Sequence, residues 1–351
     1  QSAAMVREWL GRHWIPGRSI GTAYAGSLAE LLAPLGIVAF DPTHRAAKRV
    51  MARHLVKALG LARDLDRDLA TRAAELARTG DDGGVVVGDG ATLVMIEGRE
   101  GRDRLVVDGE TFVTRRSGEA FSLDQLQGIA ASEPERLSPN VLLRPVVEAA
   151  ILPTVAYIGG PGELGYWRLT PPIYARMRIE PQLALPRWSG MIVEPMVARL
   201  LTDLSTDLDE LLAPSGALET RLARGEVPTE LADAYAHLQA SVARDFEVMR
   251  RKGGEIAPQL ARALETLERR ITWLAGRAEG KVLAHVKRRG SETVGRIRRA
   301  RESLRPLGRP QERVFTVAPF LAHHGPGLLP ELAATIRAWY AAALEGRGTT
   351  P

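Results

Sequence analysis

Leu152-Pro-Thr-Val-Ala-Tyr-Ile158 runs directly into Gly159-Gly-Pro-Gly-Glu-Leu-Gly165. An apolar run that ends in a glycine-proline loop reads as strand, tight connection and helix. The helical pattern continues from about Glu163 to Met177, and a second strand is expected near Gln182 to Leu185, with Pro186-Arg-Trp-Ser189 at its C-terminal end. The result is a β-loop-α-β unit, and open α/β sheets bind ligands outside such strand ends. The fold class is therefore α/β.

Upstream, residues 2–35 carry helical patterns broken at Pro16-Gly17, and Gly36-Ile-Val-Ala-Phe-Asp41 reads as a short buried strand turning at Asp41-Pro42. A long helix is expected from an N-cap at Thr43 to Arg78, stopping at Gly80-Asp-Asp-Gly-Gly84. Segments 85–87, 92–97, 104–107 and 111–114 have β character with glycine-rich turns between them, which predicts a small antiparallel meander. Ser122-Leu-Asp-Gln125 has capping-box spacing for a helix that ends before Pro134.

Downstream, the chain from Pro228 to Leu304 reads as long helix with charged faces. Leu260, Leu264, Leu267, Ile271, Leu274 and Ala278 are spaced as a heptad seam, less regularly continued by Val282, Val286, Val294, Ile297 and Leu304. Leu231, Tyr235, Leu238, Val242, Phe246 and Met249 form an earlier stripe before a break at Gly253-Gly254 and Pro258, so two antiparallel helices are expected to pack as a coiled coil. The same seam serves equally well as part of a dimer interface. The chain thus divides into 1–80, a helical and strand part of the core; 81–121, a β-meander insertion; 122–227, the β-loop-α-β portion; 228–305, the coiled coil; and 306–351, a segment returning to the core.

Composition removes several functions. The 351 residues are 45% hydrophobic and 25% charged, which excludes wholesale disorder. There is no cysteine, so disulfides, thiolate metal sites and cysteine nucleophiles are excluded, and any thiol must be a bound one. Neither a membrane-length apolar run nor a signal-peptide pattern is present, and a cytoplasmic location is expected. The net charge of +5 is uneven, because residues 244–313 hold 19 Lys or Arg against 9 Asp or Glu. Arg288, Arg289, Arg296, Arg298, Arg299 and Arg301 have two readings, as phosphate partners of a nucleic acid or as a solvated helix face. Their interleaving with apolar positions and the 5% aromatic content favour the second, with no specific nucleic acid as partner.

The candidate chemistry lies around the glycine-proline loop. Gly159, Gly160 and Gly162 permit close backbone approach to an anion, although the segment matches neither G-x-G-x-x-G nor the Walker pattern and such a loop is more often just a tight connection. Arg144 and Arg187 flank the unit and offer bidentate contacts to carboxylate or phosphate; each also reads as a surface ion pair. The pair His323-His324 has no metal-ligand spacing, and Ser138 and Ser189 have no histidine and aspartate arrangement nearby, so neither a metal site nor a serine nucleophile is read.

Ser138-Pro-Asn-Val-Leu-Leu-Arg-Pro145, the 152–166 segment, Pro186-Arg-Trp-Ser189 with Val193-Glu-Pro195, and Gly308-Arg-Pro-Gln-Glu-Arg313 together resemble the BshC family, cysteine-adding enzymes of bacillithiol biosynthesis. Gly36-Ile-Val-Ala-Phe-Asp-Pro42 and Pro319-Phe-Leu-Ala-His-His-Gly-Pro326 extend the resemblance over nearly the whole chain. It implies a Rossmann-like core, a coiled coil that pairs two subunits, and a ligase that joins cysteine to glucosaminyl-malate with ATP or ADP as cofactor. Carried over position by position, Asn140, Arg144, Gly159, Gly160, Gly162, Glu163, Tyr166, Arg187 and Ser189 are expected to bind substrate or anion, and Gln311 and Arg313 nucleotide. Glu163 has two readings, orienting an amine or capping its helix. The family's T-G-Q-Q-A-G-like loop and E-D-H-D-F-like motif are missing from these residues, and Arg78-Thr-Gly-Asp-Asp-Gly-Gly84 stands where a Gly-Tyr-His-x-Gln-like segment is expected. The catalytic residues are therefore expected upstream of Gln1, and the chain alone is expected to be incomplete. The alternative is a non-catalytic relative serving coiled-coil dimerisation and anion binding.

Overall fold

The computed structural model describes residues 2–80, 83–214 and 216–346, which divide into two compact units, one formed by 1–188 with 320–351 and the other by 189–319. Asp81 and Asp82 of the expected helix stop lie outside the described residues.

The first unit opens with helices α1 (Ser2–His13) and α2 (Ile20–Leu32), separated as expected around Pro16-Gly17. Residues 36–41 are not a strand. They run as an extended loop from Gly36, in the left-handed region at φ 73°, to an Asp41 carboxylate that accepts from the Thr43 N–H and hydroxyl. An apolar run becomes a strand only when a neighbour completes its ladder, and no ladder reaches this one among the described residues; Val38 is 88% exposed. The expected long helix is two, α3 (Arg45–Gly60) and α4 (Ala62–Ala77), divided at Leu61 after the poor helix former Gly60. His44, not Thr43, is the N-cap of α3, its Nδ1 accepting from the Ala46 N–H.

The meander follows as β1 (Ala91–Gly98), β2 (Gly101–Asp108), β3 (Thr111–Thr114) and β4 (Ala120–Phe121). After α5 (Leu123–Ser132), which carries the expected Ser122–Gln125 capping box, β5 (Leu137–Pro139) joins the far edge of β1, giving the antiparallel order β4-β3-β2-β1-β5. Residues 85–87 are not a strand. Gly83, Gly84 and Gly88 on either side all have positive φ, which turns the chain out of the extended region.

Helix α3 is the spine of this core. Leu55 and Leu59 are buried among Val94 and Ile96 of β1, Leu126 of α5, and Leu65 and Leu69 of α4, together with residues of the helices that follow. Those are α6 (Arg144–Ile151), then β6 (Ala156–Gly159), α7 (Pro161–Trp167), α8 (Pro171–Met177) and β7 (Leu183–Pro186). Strands β6 and β7 pair in parallel, Ala156 with Leu183 through Gly159 with Pro186, as the β-loop-α-β reading requires. The single helix expected from Glu163 to Met177 is interrupted, because Pro171 and Pro172 lack the N–H needed inside a helix and instead open the first turn of α8.

The second unit holds α9 (Pro195–Asp203), α10 (Leu208–Leu212), α11 (Ala217–Gly225), α12 (Thr229–Ile256), α13 (Pro258–Arg289) and α14 (Ser291–Leu304). Its core gathers Val197, Leu200, Leu211, Leu218, Ile297, Ala300 and Leu304. Helices α12 and α13 form the expected antiparallel hairpin, tied by Arg250 to Glu268 at 3.1 Å, and α11 joins α13 through Arg224 and Glu279 at 3.5 Å. The break falls at Ala257-Pro258 and not at Gly253-Gly254, which stay helical. Gly253 instead serves close approach, since a Cβ there would lie 2.9 Å from the Leu264 side chain. Of the basic residues, Arg296 is spent on Asp203 at 2.6 Å, and Arg301 on Glu219 and the Leu211 carbonyl. The remainder of the chain forms α15 (Ala318–His324) and α16 (Leu328–Leu344), the latter within the first unit. Among the described residues no helix is long and apolar enough to cross a membrane.

Asp103 anchors the meander. Its side chain, 3% exposed, accepts from the N–H groups of Arg104, Arg116 and Ser117, with the Arg116 guanidinium at 3.5 Å. Burial opposes ionisation, but these donors outweigh it and hold the carboxyl below the usual range. The stabilisation is therefore complete above the unfolded-state value of about 4 and is lost as pH falls through the lower folded value. Asp103→Ala is expected to cost on the order of 2 kcal/mol at pH 7 in urea unfolding, and the difference from the parent chain to shrink below about pH 4.

Candidate functional site

The C-terminal ends of β6 and β7 collect polar groups from α6, β6, α7 and β7. Gly160 precedes α7, Pro161 occupies its first turn, and Glu163 reaches back so that the Gly160 N–H donates to Oε2 at 2.9 Å. The other oxygen of the same carboxylate accepts from the Arg144 guanidinium at 2.6 Å and from the Tyr157 hydroxyl at 3.0 Å. Arg144 also donates to the Tyr157 oxygen at 2.9 Å, which closes a triangle. Glu163 thus caps its helix and orients the arginine at the same time.

The electrostatics follow from this triangle. Burial works against ionisation of Glu163, but donors from Gly160, Tyr157 and Arg144 prevail and hold its carboxyl below the usual range. Burial, outweighing the opposing Arg144 charge and reinforced by Glu163, pushes the Tyr157 phenol well above its ordinary value, so the hydroxyl keeps its proton. Glu148, one turn along α6 from Arg144, is raised by burial and by Glu163, against the opposing pull of Arg144. Beneath the triangle an aromatic stack runs from Tyr157 to Trp167, centroids 4.6 Å apart, and on to Tyr174 at 6.2 Å. The Tyr174 hydroxyl donates to Gln182, whose amide in turn donates to Thr154.

Arg187 stands on the other side of the loop. Its backbone N–H donates to the Gly159 carbonyl at 2.8 Å, continuing the parallel ladder by one residue. Its guanidinium lies over Gly160, 3.7 Å from where a Cβ would be, and among the described residues no carboxylate pairs with it. Gly159 is closely covered, since a Cβ there would meet Leu164 at 3.1 Å, whereas Gly162 faces open space. The Tyr340 hydroxyl of α16 donates to the Pro186 carbonyl and accepts from the Trp188 N–H, which pins the segment carrying Arg187.

The structure therefore brings together Arg144, Gly159, Gly160, Glu163 and Arg187, with half-buried Tyr166 in electrostatic reach of Arg144. Asn140 plays a local part: its Oδ1 accepts from the Leu142 and Leu143 N–H groups and orders the turn into α6. Ser189, Gln311 and Arg313 belong to the second unit. There the Ser189 hydroxyl donates to Glu312 at 2.9 Å. Gln311 is buried, with its amide spent on both backbone groups of Ile192 and on the Ser303 carbonyl, so packing occupies the side chain expected to hold nucleotide; Arg313 is exposed. Sequence reasoning missed Tyr157, Glu148, Trp167 and Tyr174. Tyr157 sat in plain view within the quoted strand, but an apolar run does not reveal which hydroxyl meets an arginine from the preceding helix.

Glu163→Ala removes cap and arginine partner together, and a loss of about 1 kcal/mol is expected in thermal or urea unfolding at pH 7. Glu163→Gln keeps an acceptor for Gly160 and is expected to lose less. Because the folded carboxyl is held low, the difference between Glu163→Gln and the parent is present above about pH 4.3 and vanishes as pH falls below the folded value.

The family described as "Bacillithiol biosynthesis BshC, N-terminal Rossmann-like domain" matches residues 4–188, and "Bacillithiol biosynthesis BshC, C-terminal coiled-coil domain" matches residues 190–338. Similar curated proteins each carry the name "Putative cysteine ligase BshC". One from Solibacter usitatus is 31% identical over 312 residues, covering 88% of this chain and 58% of the relative. One from Koribacter versatilis is 28% identical over 317 residues, covering 90% and 59%, and one from Symbiobacterium thermophilum is 32% identical over 240 residues, covering 66% and 42%. The chain spans about three-fifths of the length of the first two. With both domain types matched end to end along it, and a parallel β-loop-α-β unit and helical hairpin where they fall, the chain belongs to the BshC family.

Proposed function

We propose that this chain carries the anion-binding half of a cytoplasmic ligase that adds cysteine to glucosaminyl-malate in bacillithiol biosynthesis, using ATP. One observation carries the reading: Arg187, which among the described residues has no acidic partner, is held over a glycine at the ends of two parallel strands, beside a second arginine already oriented by Glu163. Leaving a guanidinium unpaired is favourable where an anionic ligand completes it, and the missing Cβ of Gly160 leaves that side of the Arg187 guanidinium uncovered. The name of the relatives, putative cysteine ligase, supports the ligase class of this reading. In it Arg144 and Arg187 hold the malate carboxylates or a phosphate, and Tyr157 keeps Arg144 directed toward the strand ends. The donor set fits a nucleotide's phosphates, with Arg187 and Arg144 as the side chains that would hold them; the nucleotide would supply activation of a carboxyl group for amide formation. Titration calorimetry with malate, citrate and ADP tests this. Arg144→Lys and Arg187→Lys keep charge but lose the planar fork, and about tenfold weaker binding of at least one ligand is expected. Unchanged affinity for all three would overturn the anion-site reading.

The same protein acts as a homodimer through its helical arm. Leu264 meets Gly253 of α12, Glu268 pairs with Arg250 of α12, Glu279 pairs with Arg224 of α11, and Ala275 and Leu283 are buried, so part of the α13 surface is covered within the second unit. Leu260, Leu267, Ile271 and Leu274 remain 39%, 49%, 38% and 52% exposed on one helix, an apolar stripe that a second copy would cover. Light scattering is expected to give a dimer mass for the parent chain and a monomer mass after Leu267→Asp with Ile271→Asp.

A further inference from the structure

Helix α6 places Glu148 four residues after Arg144, on the same face. The usual outcome of that spacing is an ion pair within the helix, but here the Arg144 guanidinium is drawn away to Tyr157 and Glu163. Glu148 is left half-buried, and among the described residues no hydrogen bond or ion pair reaches its carboxylate. A half-buried carboxylate without donors is costly, and it is retained most readily where a cationic ligand completes it.

The groups acting on it are known from each neighbouring element. Arg144 lies on its own helix, Glu163 on α7 and Tyr174 on α8, and the Tyr174 proton is already committed to Gln182. Lys57 of α3, which also packs on α6, is spent on the Met177 carbonyl. Its surroundings make Glu148 a better base than an ordinary carboxylate, while the neighbouring Glu163 is a poorer one. Two carboxylates beside one arginine are thereby driven to different tasks.

We propose that Glu148 receives the ammonium group of the amine substrate and takes one of its protons. This rests on the anion-site reading above. An N–H bond of the substrate breaks, the O–H bond of Glu148 forms, and the electron pair stays on nitrogen, which becomes the free amine that amide formation requires. Glu163, held ionised by its cap and its arginine, fixes Arg144 on the anionic end of the same substrate, with Glu148 one turn away for the amino end.

Calorimetry with D-glucosamine, N-acetyl-D-glucosamine and malate on the full chain decides it. The parent chain is expected to bind glucosamine, more tightly as pH rises and the Glu148 carboxyl, held above the usual range, ionises, and to bind the N-acetyl compound, which has no ammonium, much less well. Glu148→Gln is expected to weaken glucosamine binding about tenfold and remove that pH dependence, while malate affinity stays within about twofold. Glu148→Asp, which keeps the charge on a shorter arm, is expected to preserve the pH dependence. Equal glucosamine affinity in the parent and Glu148→Gln, or no glucosamine binding by the parent, overturns the proposal. Failure of the parent to bind malate, citrate and ADP, with glucosamine binding still dependent on Glu148, would overturn the anion-site reading and leave this one standing.

Discussion

The carboxylate of Glu163 is the constraint on which the site depends. One oxygen satisfies the Gly160 N–H and the other holds Arg144 and Tyr157, so the start of a short helix, the end of a strand and the preceding helix are fixed by one group. A helix as short as α7 has little intrinsic stability, and Pro161 with the Glu163 cap specifies where it begins. The cap also consumes the N–H that a bare helix start would offer to a ligand. An anion bound as proposed would therefore be held by side chains, and among the described residues Arg187 has no carboxylate partner.

The arrangement is held from beneath by hydrophobic burial. Val146 and Val147 of α6 are fully buried with Leu55 and Leu59 of α3, and Ile173 and Met177 of α8 belong to the same cluster. Shifting α6 along its axis would open cavities against α3 and move Arg144 and Glu148 together, because one rigid helix carries both. The spacing of the two charged groups is thus set by helix geometry, and their separate roles by what α7 and β6 present to each.

Much of this fold was legible. The β-loop-α-β unit, the Ser122 capping box and the helical arm announced themselves through period and punctuation, since those signals are local. What failed was non-local. Gly36 to Asp41 has the composition of a strand but no ladder, and β5 was passed over because its pairing with β1 is decided some forty residues away in sequence. Two interruptions were available to closer reading: Pro171-Pro172 divides α7 from α8, and Gly60 precedes the break before α4. At the site, motif resemblance pointed to Arg144, Glu163 and Arg187, which the structure brings together. It did not reveal that Glu163 divides its oxygens between cap and arginine, that Asn140 only orders a turn, or that Gln311 is consumed by Ile192 and Ser303.

The helical arm shows why a heptad pattern underdetermines its partner. Leucine spacing identified a seam on α13, yet of its members Leu264 meets Gly253 of α12 while Leu267, Ile271 and Leu274 stay exposed, and it is Glu268, one position beyond Leu267, that pairs with Arg250 of α12. A two-helix hairpin has one shared face, and a helix with two adjacent apolar or semi-polar stripes must leave one outward. Here the stripe that mates within the hairpin is the one with small residues and charge pairs, including Gly253 against Leu264 and the buried Ala275, which permit close approach and fix register. The larger leucines, which stabilise most when fully buried, are the ones left for a surface that a single hairpin does not provide.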